Sequence, residues 1–446
     1  MNTTPRSTSA PSPAATWPGA IPEFEALPAG HVVWVPCAAA PTSTAQPPRH
    51  VEAGEPLAPG VDPKRNALAP AAGVIEAVEP VRLFDERSTL AVRLRVDEPA
   101  RVEPTAAPIS DENASKQLES LHRGDLPAWA DRLREAGLWT DRRGSPDLIG
   151  QLQLAMRRPV DTVMCSLLDA DASVCLNAAL AARFPRELAA GVEVVSRLTA
   201  AHNTWIVADE RVPGAWIGQV RRLVRKSSTR LLSIANDYPQ ADPTLLMYTL
   251  LNRRLRPGRL PVEQGALIFD AAAAVAIGRA ALREEKMLRV PLVVRDHPTS
   301  RTYFIFAAIG MPLGAVLEGL SLSAESATVF RGGDVLRDLR LSRSCVVSAS
   351  ELILHVSASE PAVNPDPCIR CGWCIEACPT RVQPAVVLEA AQREDLDLAE
   401  RAGLEACIDC GICSYVCPSK LPLLQGTRVM KRRSAEVAGE LEPVSS

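Results

Sequence analysis

Eight of the twelve cysteines in this 446-residue chain fall in two runs of identical form. The first is Cys368-Ile-Arg-Cys371-Gly-Trp-Cys374-Ile-Glu-Ala-Cys378-Pro379, and the second is Cys407-Ile-Asp-Cys410-Gly-Ile-Cys413-Ser-Tyr-Val-Cys417-Pro418. Both read C-x2-C-x2-C-x3-C-P, a spacing at which thiolates ligate iron–sulfur clusters. Paired zinc sites would also use four ligands each with C-x2-C spacing. The doubled eight-cysteine pattern, closed both times by Cys-Pro, favours two tetranuclear clusters instead. Gly372 and Gly411 remove a side chain where backbone N–H groups approach sulfur, and Pro379 and Pro418 end each loop. Cys37, Cys165, Cys175 and Cys345 stand alone in apolar runs and read as buried structural thiols.

The two runs resemble those of bacterial two-cluster ferredoxins, in which the fourth cysteine of a run serves the other cluster. That resemblance implies Cys368, Cys371, Cys374 and Cys417 for cluster I, and Cys407, Cys410, Cys413 and Cys378 for cluster II. Two close [4Fe-4S] clusters form an electron wire. Trp373, Ile375, Ile412 and Tyr415 are candidate shields against water. A helix is expected around Ala385 to Glu394, between the runs. No catalytic constellation accompanies them. His31, His50, His122, His202, His297 and His355 are scattered, without ligand or triad spacing.

The rest of the chain must carry this unit. Length predicts about three domains, and 47% hydrophobic residues exclude a disordered protein. A net charge of −3 and 4% aromatics give no basis for nucleic-acid binding. Residues 1–27 begin with a Ser-, Thr-, Ala- and Pro-rich stretch without an apolar core, so they read as a disordered tail and not as a secretory signal. Residues 28–99 hold short Val-rich runs broken by Gly and Pro, a β-domain. Its turns resemble the barrel-sandwich hybrid of biotinyl and lipoyl modules, with Ala71-Ala72 where those carry a lysine. Residues 100–285 form an α/β domain, entered through a polar connection. Its strands are expected at Thr162–Leu168, Thr204–Ala208 and Gly265–Phe269. Its helices are expected at Leu126–Leu138, Val174–Phe184, Ala189–Ala201, Trp216–Lys226 and Pro243–Arg253. Alternation of this kind predicts parallel strands with helical cover. Residues 286–356 return to β character at Arg289–Val294, Tyr303–Phe306, Cys345–Val347 and Ile353–Val356. Residues 361–425 are the cysteine domain, and 426–446 a charged tail in which Arg428, Lys431, Arg432 and Arg433 read as a solvated helix end, with a weak attraction to anionic lipid as the alternative. The apolar stretch Tyr303–Leu320 contains Pro312 and Glu318 and reads as a β/α segment, not a membrane span.

This multidomain α+β order, closed by Pro418-Ser-Lys-Leu-Pro-Leu-Leu-Gln425, resembles the C subunit of the Rnf electron-transport complex over about residues 28–430. Weaker echoes are Tyr238-Pro239, Leu255-Arg-Pro-Gly258, Gly265-Ala-Leu-Ile268, Gly310-Met-Pro-Leu313 and Gly332-Gly333. The resemblance implies an α/β domain like the NADH-binding flavoprotein of respiratory complex I, followed by a β-grasp-like domain. It implies a peripheral protein on the cytoplasmic side of the inner membrane, working with integral-membrane and redox subunits and a ferredoxin-like electron partner. The chain departs from the family at its glycine-rich loop, G-x-G-G-A-x-F-P. Here the loop reads Gly137-Leu-Trp-Thr-Asp-Arg-Arg-Gly-Ser-Pro146, with Trp139, Asp141 and Arg142 where a phosphate would need bare backbone. Arg142 and Arg143 read as solvated surface residues, and Asp169-Ala-Asp171-Ala172 as the remnant of an acidic run. The loop argues against FMN and NADH binding.

Overall fold

The computed structural model describes residues 17–37, 48–57, 67–84, 88–99, 118, 120–138, 140–171, 174–225, 227–255, 259–322, 328–334, 336–358 and 363–438. Trp139, Ala172 and Arg256–Gly258, which the motif reading used, lie outside these, as do 1–16 and most of the connection after residue 99.

Three sheets and a helical unit follow one another. The first sheet is antiparallel, in the order Val32–Cys37, Ser88–Val96, Gly73–Arg82 and Arg49–Val51. Burial alternates along Val32–Cys37, with Val33, Val35 and Cys37 turned inward, as the two-residue period of a strand requires.

The second sheet is fully parallel, in the order Arg230–Ile234, Asn203–Asp209, Thr162–Ser166 and Ala266–Asp270. Thr162–Ser166 and Ala266–Asp270 are buried along their whole length, the mark of a sheet covered on both faces. Val163, Cys165, Leu267 and Phe269 join the main core. Met164 and Ile268, on the opposite face, pack with Met247 of the Pro243–Leu251 helix. The helices Pro185–Thr199 and Ala271–Arg283 approach closely because each offers a glycine. A Cβ on Gly191 would sit 1.9 Å from the Ala274 carbonyl oxygen, and one on Gly278 would sit 1.8 Å from that of Glu187. The expected helices appear as Leu126–Glu135, Leu176–Arg183, Pro185–Thr199, Gly214–Val224 and Pro243–Leu251. The helices Leu148–Ala155 and Ala271–Arg283 and the strand Arg230–Ile234 lie outside the expected set.

The third sheet is mixed, in the order Glu25–Ala26, Arg301–Ala308, Arg289–Asp296, Ile353–Ser357, Val329–Gly332 and Leu339–Leu341. Cys345–Val347, expected as a strand, supplies only isolated bridges from Val346 to Leu83 and Pro312. Tyr303–Leu320 divides into the end of one strand and the short Leu313–Gly319 helix.

Both ends of the chain correct the reading of tails. Residues 17–27 are packed: Glu25 and Ala26 pair with Ile305 and Phe306, Leu27 is fully buried, Trp17 meets Trp216 edge-on, and Phe24 sits among Phe184, Phe304 and Phe306. Aromatic burial outweighs the polar, proline-rich surroundings there. At the other end, Leu423–Val437 is one helix. Its Met430 joins Val382, Val387, Ala390, Ala399, Ala402 and Leu404 in the small core of the cysteine unit.

Candidate iron–sulfur centre

The two cysteine loops have the same backbone. Arg370 and Asp409 take φ of 54° and 52°, Gly372 and Gly411 take 82° and 76°, and Arg381 and Lys420 take 62° and 50°. A one-turn helix follows each glycine, Trp373–Glu376 and Ile412–Tyr415. Left-handed residues between right-handed ones turn successive N–H groups toward one side, which makes a concavity for anionic sulfur. One such bond is present: the Asp409 N–H donates to Cys407 Sγ at 3.3 Å. The loops differ in surroundings. A Cβ on Gly372 would meet nothing within 4 Å, whereas one on Gly411 would lie 2.0 Å from the Leu336 carbonyl oxygen.

Seven of the eight thiols fall in two groups. Cys378, Cys407, Cys410 and Cys413 line one cavity. The Cys413 thiol is pushed up to about 12, by burial first and then by Cys410, Cys407 and Cys378. Burial likewise raises Cys407 to about 12. In the other group, burial raises the Cys374 thiol, and Cys371 and Cys417 act in the same direction. Cys378 therefore faces the three leading cysteines of the second run, and Cys417 faces the first. Cys368 and Cys371 are exposed. Among the described residues, no three His, Cys, Asp or Glu side chains converge as a single metal ion needs. Four thiols around a cavity suit a larger cluster, whose loading must displace the thiol protons.

The shielding expectation needs correction. Ile412 is buried, but Trp373, Ile375 and Tyr415 are among the exposed large apolar side chains, together with Val363 and Ile369. The described residues pack nothing over the loop they flank, so their apolar faces remain open. Cys37, Cys165, Cys175 and Cys345 are all buried.

The second loop is held against the body of the protein. Arg143 Nη2 donates to the Ile408 carbonyl and Tyr238 Oη to that of Cys410. Arg428 Nη2 donates to the Arg337 carbonyl at 2.7 Å. Lys431 Nζ donates to the Cys407 carbonyl at 2.6 Å and lies 3.2 Å from Asp409. Arg433 pairs with Glu394. Three of the four basic residues of the expected charged tail, Arg428, Lys431 and Arg433, thus have partners inside the chain.

Arg142 and Arg143 are not solvated. Their side chains keep only 9% and 11% exposure. Arg142 makes a forked pair with Asp270, with both nitrogen–oxygen distances 2.6 Å, and donates to the Ala349 carbonyl at 2.9 Å. Arg143 Nε donates to Asp242 at 2.8 Å. Burial works against the Arg143 charge, but Asp242 and Asp334 outweigh it and hold the guanidinium protonated.

These residues border a cavity of about 500 Å³ at the carboxyl ends of the parallel strands, where α/β sheets bind ligands. The helix N-termini around it already hold carboxylates. Asp147 accepts from Gly150 N at 3.0 Å, Asp270 from Ala273 N at 2.9 Å, and Asp169 from Asn177 N at 3.1 Å with both oxygens. Burial, with help from Asp270 and Asp171, lifts the Asp169 carboxyl well above its ordinary range. A dinucleotide or flavin phosphate binds at such N–H groups, and at these three helix starts they are already given to carboxylates.

Glu351 on the same cavity has a carboxyl pushed up to about 7, by burial first and then by Asp334. The folded state thus keeps a proton that the unfolded chain releases near 4.5. Stability contributed by this group falls as pH rises from about 4.5 to 7 and is flat above. Glu351→Gln is therefore expected to unfold at a higher temperature than the parent at pH 8, with little difference at pH 4.5. The gain should be on the order of 1–3 kcal/mol. Thermal unfolding at the two pH values measures it, and an unchanged pH dependence would refute the assignment.

The structure joins two histidines that spacing left apart. His297 Nε2 lies 3.1 Å from His355 Nδ1, and buried His355 lies 3.8 Å from Asp171.

The loops have the form of a two-cluster ferredoxin unit, set against an α/β body. Residues 360–428 match the 4Fe-4S dicluster domain family. The chain is similar to the C subunit of ion-translocating oxidoreductase complexes. It is 29% identical over 299 residues to that protein from Edwardsiella ictaluri, covering 64% of this chain and 37% of the relative. It is 26% identical over 387 residues to the Serratia proteamaculans protein of the same name, covering 85% and 53%. It is 26% identical over 245 residues to the C subunit of the Na(+)-translocating ferredoxin:NAD(+) oxidoreductase complex of Acetobacterium woodii, covering 54% and 55%. The chain spans about half the length of these relatives or less. A solved NAD+-reducing [NiFe]-hydrogenase chain aligns over 73% of this chain and 58% of its own, at 14% identity and a TM-score of 0.44. No helix among the described residues is long and apolar enough to cross a membrane.

Proposed function

We propose that the chain is a peripheral electron-transfer subunit of an Rnf-type ion-translocating complex, passing electrons through two [4Fe-4S] clusters. Cys368, Cys371, Cys374 and Cys417 would hold one cluster, and Cys378, Cys407, Cys410 and Cys413 the other. The observation that supports this reading is that Cys378 lines one cavity with Cys407, Cys410 and Cys413. The clusters supply one-electron transfer. The protein positions them unequally, one beneath the body at Gly411 and Leu336, the other at an exposed face with Trp373 and Ile369. That face suits an electron-transfer partner, and the complex's integral-membrane subunits suit a chain that attaches through protein contacts. The proposed domains are 28–99 barrel-sandwich-like, 100–285 α/β, 286–356 β-grasp-like and 361–425 ferredoxin-like, the last carried on by the helix that ends at Val437.

A wiring role without flavin is favoured over a dehydrogenase role by the carboxylates on the three helix N-termini. Electrons would then come from a protein donor. Anaerobically reconstituted protein is expected to contain about eight irons and eight sulfides per chain and no flavin. Four irons, or zinc in their place, would refute the cluster assignment.

A further inference from the structure

We infer that Arg143 is a positioning residue that sets the reduction potential of cluster II, acting through one peptide group of the ligand loop. The inference rests on the cluster reading above. Arg143 stands in the loop before the Leu148–Ala155 helix, and its buried side chain reaches across to the Ile408 carbonyl. That carbonyl belongs to the peptide whose other end is the Asp409 N–H, and this N–H donates to Cys407 Sγ at 3.3 Å. A cation bonded to the oxygen of a peptide polarises its N–H and strengthens the bond that N–H makes. Hydrogen bonds to cluster sulfur and nearby positive charge both favour the reduced, more negative cluster.

The surroundings keep the effect local. Arg143 is clamped by Asp242 at 2.8 Å and faces Asp334 at 3.6 Å, so its fork cannot swing away from Ile408. Tyr238 donates to the Cys410 carbonyl, a second contact on the same loop that carries no charge. In the first loop, Gly372 has nothing within 4 Å of where a side chain would begin. The two clusters should therefore respond differently to the loss of one buried cation.

The test is a dithionite redox titration of the full reconstituted chain, followed by electron paramagnetic resonance, in which each cluster takes up one electron. Arg143→Gln is expected to move the potential of one cluster to more negative values and leave the other in place. Arg143→Lys keeps the charge but loses the fork, and is expected to shift the same cluster by less. Tyr238→Phe removes a loop contact without removing charge and should shift it least. Arg253→Gln breaks a pair with Asp161 at the far end of the strands and should shift neither. Eight irons in every variant with both potentials unmoved in Arg143→Gln would overturn the inference while leaving the cluster reading intact. Equal shifts of both clusters would overturn it too. If Arg143→Gln fails to hold cluster II, the graded order of Arg143→Lys and Tyr238→Phe decides, and a larger shift in Tyr238→Phe refutes the role. Fewer than eight irons in the parent would instead sink the cluster reading itself.

Discussion

Cys378→Ser is expected to leave about four of eight irons and to abolish one of two paramagnetic signal sets. The lost set should be the one that Cys410→Ser abolishes. Cys378 precedes the second run by 28 intervening residues, so chain proximity alone would assign it to the first. The fold, however, sets it in a cavity with Cys407, Cys410 and Cys413. After Cys378 the chain turns at Arg381, runs through the helices Pro384–Arg393 and Leu396–Arg401, and returns to Cys407. Val382, Val387, Ala399 and Leu404 close a small core beneath this path, which brings the end of the first loop against the start of the second. Serine replaces sulfur with a harder, shorter ligand of nearly the same shape, so the core should survive and only the ligation should fail. Cys417→Ser is the reciprocal case and should match Cys371→Ser. A Cys378→Ser spectrum that matches Cys371→Ser would show that each run serves its own cluster and that the crossing is wrong.

The chemistry of this chain is legible because it is written in contiguous spacing. Cysteines at fixed offsets, glycines between them and closing prolines identify the loops without a fold. The parallel sheet is legible for a similar reason, since Thr162–Ser166 and Ala266–Asp270 are continuous apolar runs between helical periods. The Ala271–Arg283 helix lies outside the expected set; its buried face is mostly alanine and glycine, with Val275 and Ile277 the only larger apolar side chains buried on it. The docking of the second loop is illegible. Arg143 and Ile408 are 265 residues apart, and nothing local distinguishes a buried arginine from a solvated one. Its partners Asp242 and Asp334 lie on segments that meet only in the folded chain. The same holds for Trp17 and Phe24, whose polar neighbours hide side chains that other units cover.

The isolated protein is expected not to oxidise NADH at a measurable rate, even with FMN supplied, while dithionite bleaches its clusters normally. Nucleotide phosphates bind α/β sheets by taking N–H donors at helix N-termini. Here Gly150, Ala273 and Asn177 already give theirs to Asp147, Asp270 and Asp169. Each charge-assisted bond that a phosphate cannot make costs about 1.5–3 kcal/mol. Two such losses, about 3–6 kcal/mol, weaken binding roughly a hundredfold to ten-thousandfold. A phosphate near Asp270 would also have to compete for Arg142 in a forked pair with 2.6 Å contacts, and breaking a buried pair costs about 3–5 kcal/mol. Both effects act in the same direction, so neither FMN nor NADH should register in calorimetry at micromolar protein. The check is NADH-dependent reduction of an artificial acceptor, run beside dithionite reduction of the same sample. Robust turnover that disappears in Asp169→Asn would show that the strand ends still hold a nucleotide in some other way, and that the arginines had not closed the site.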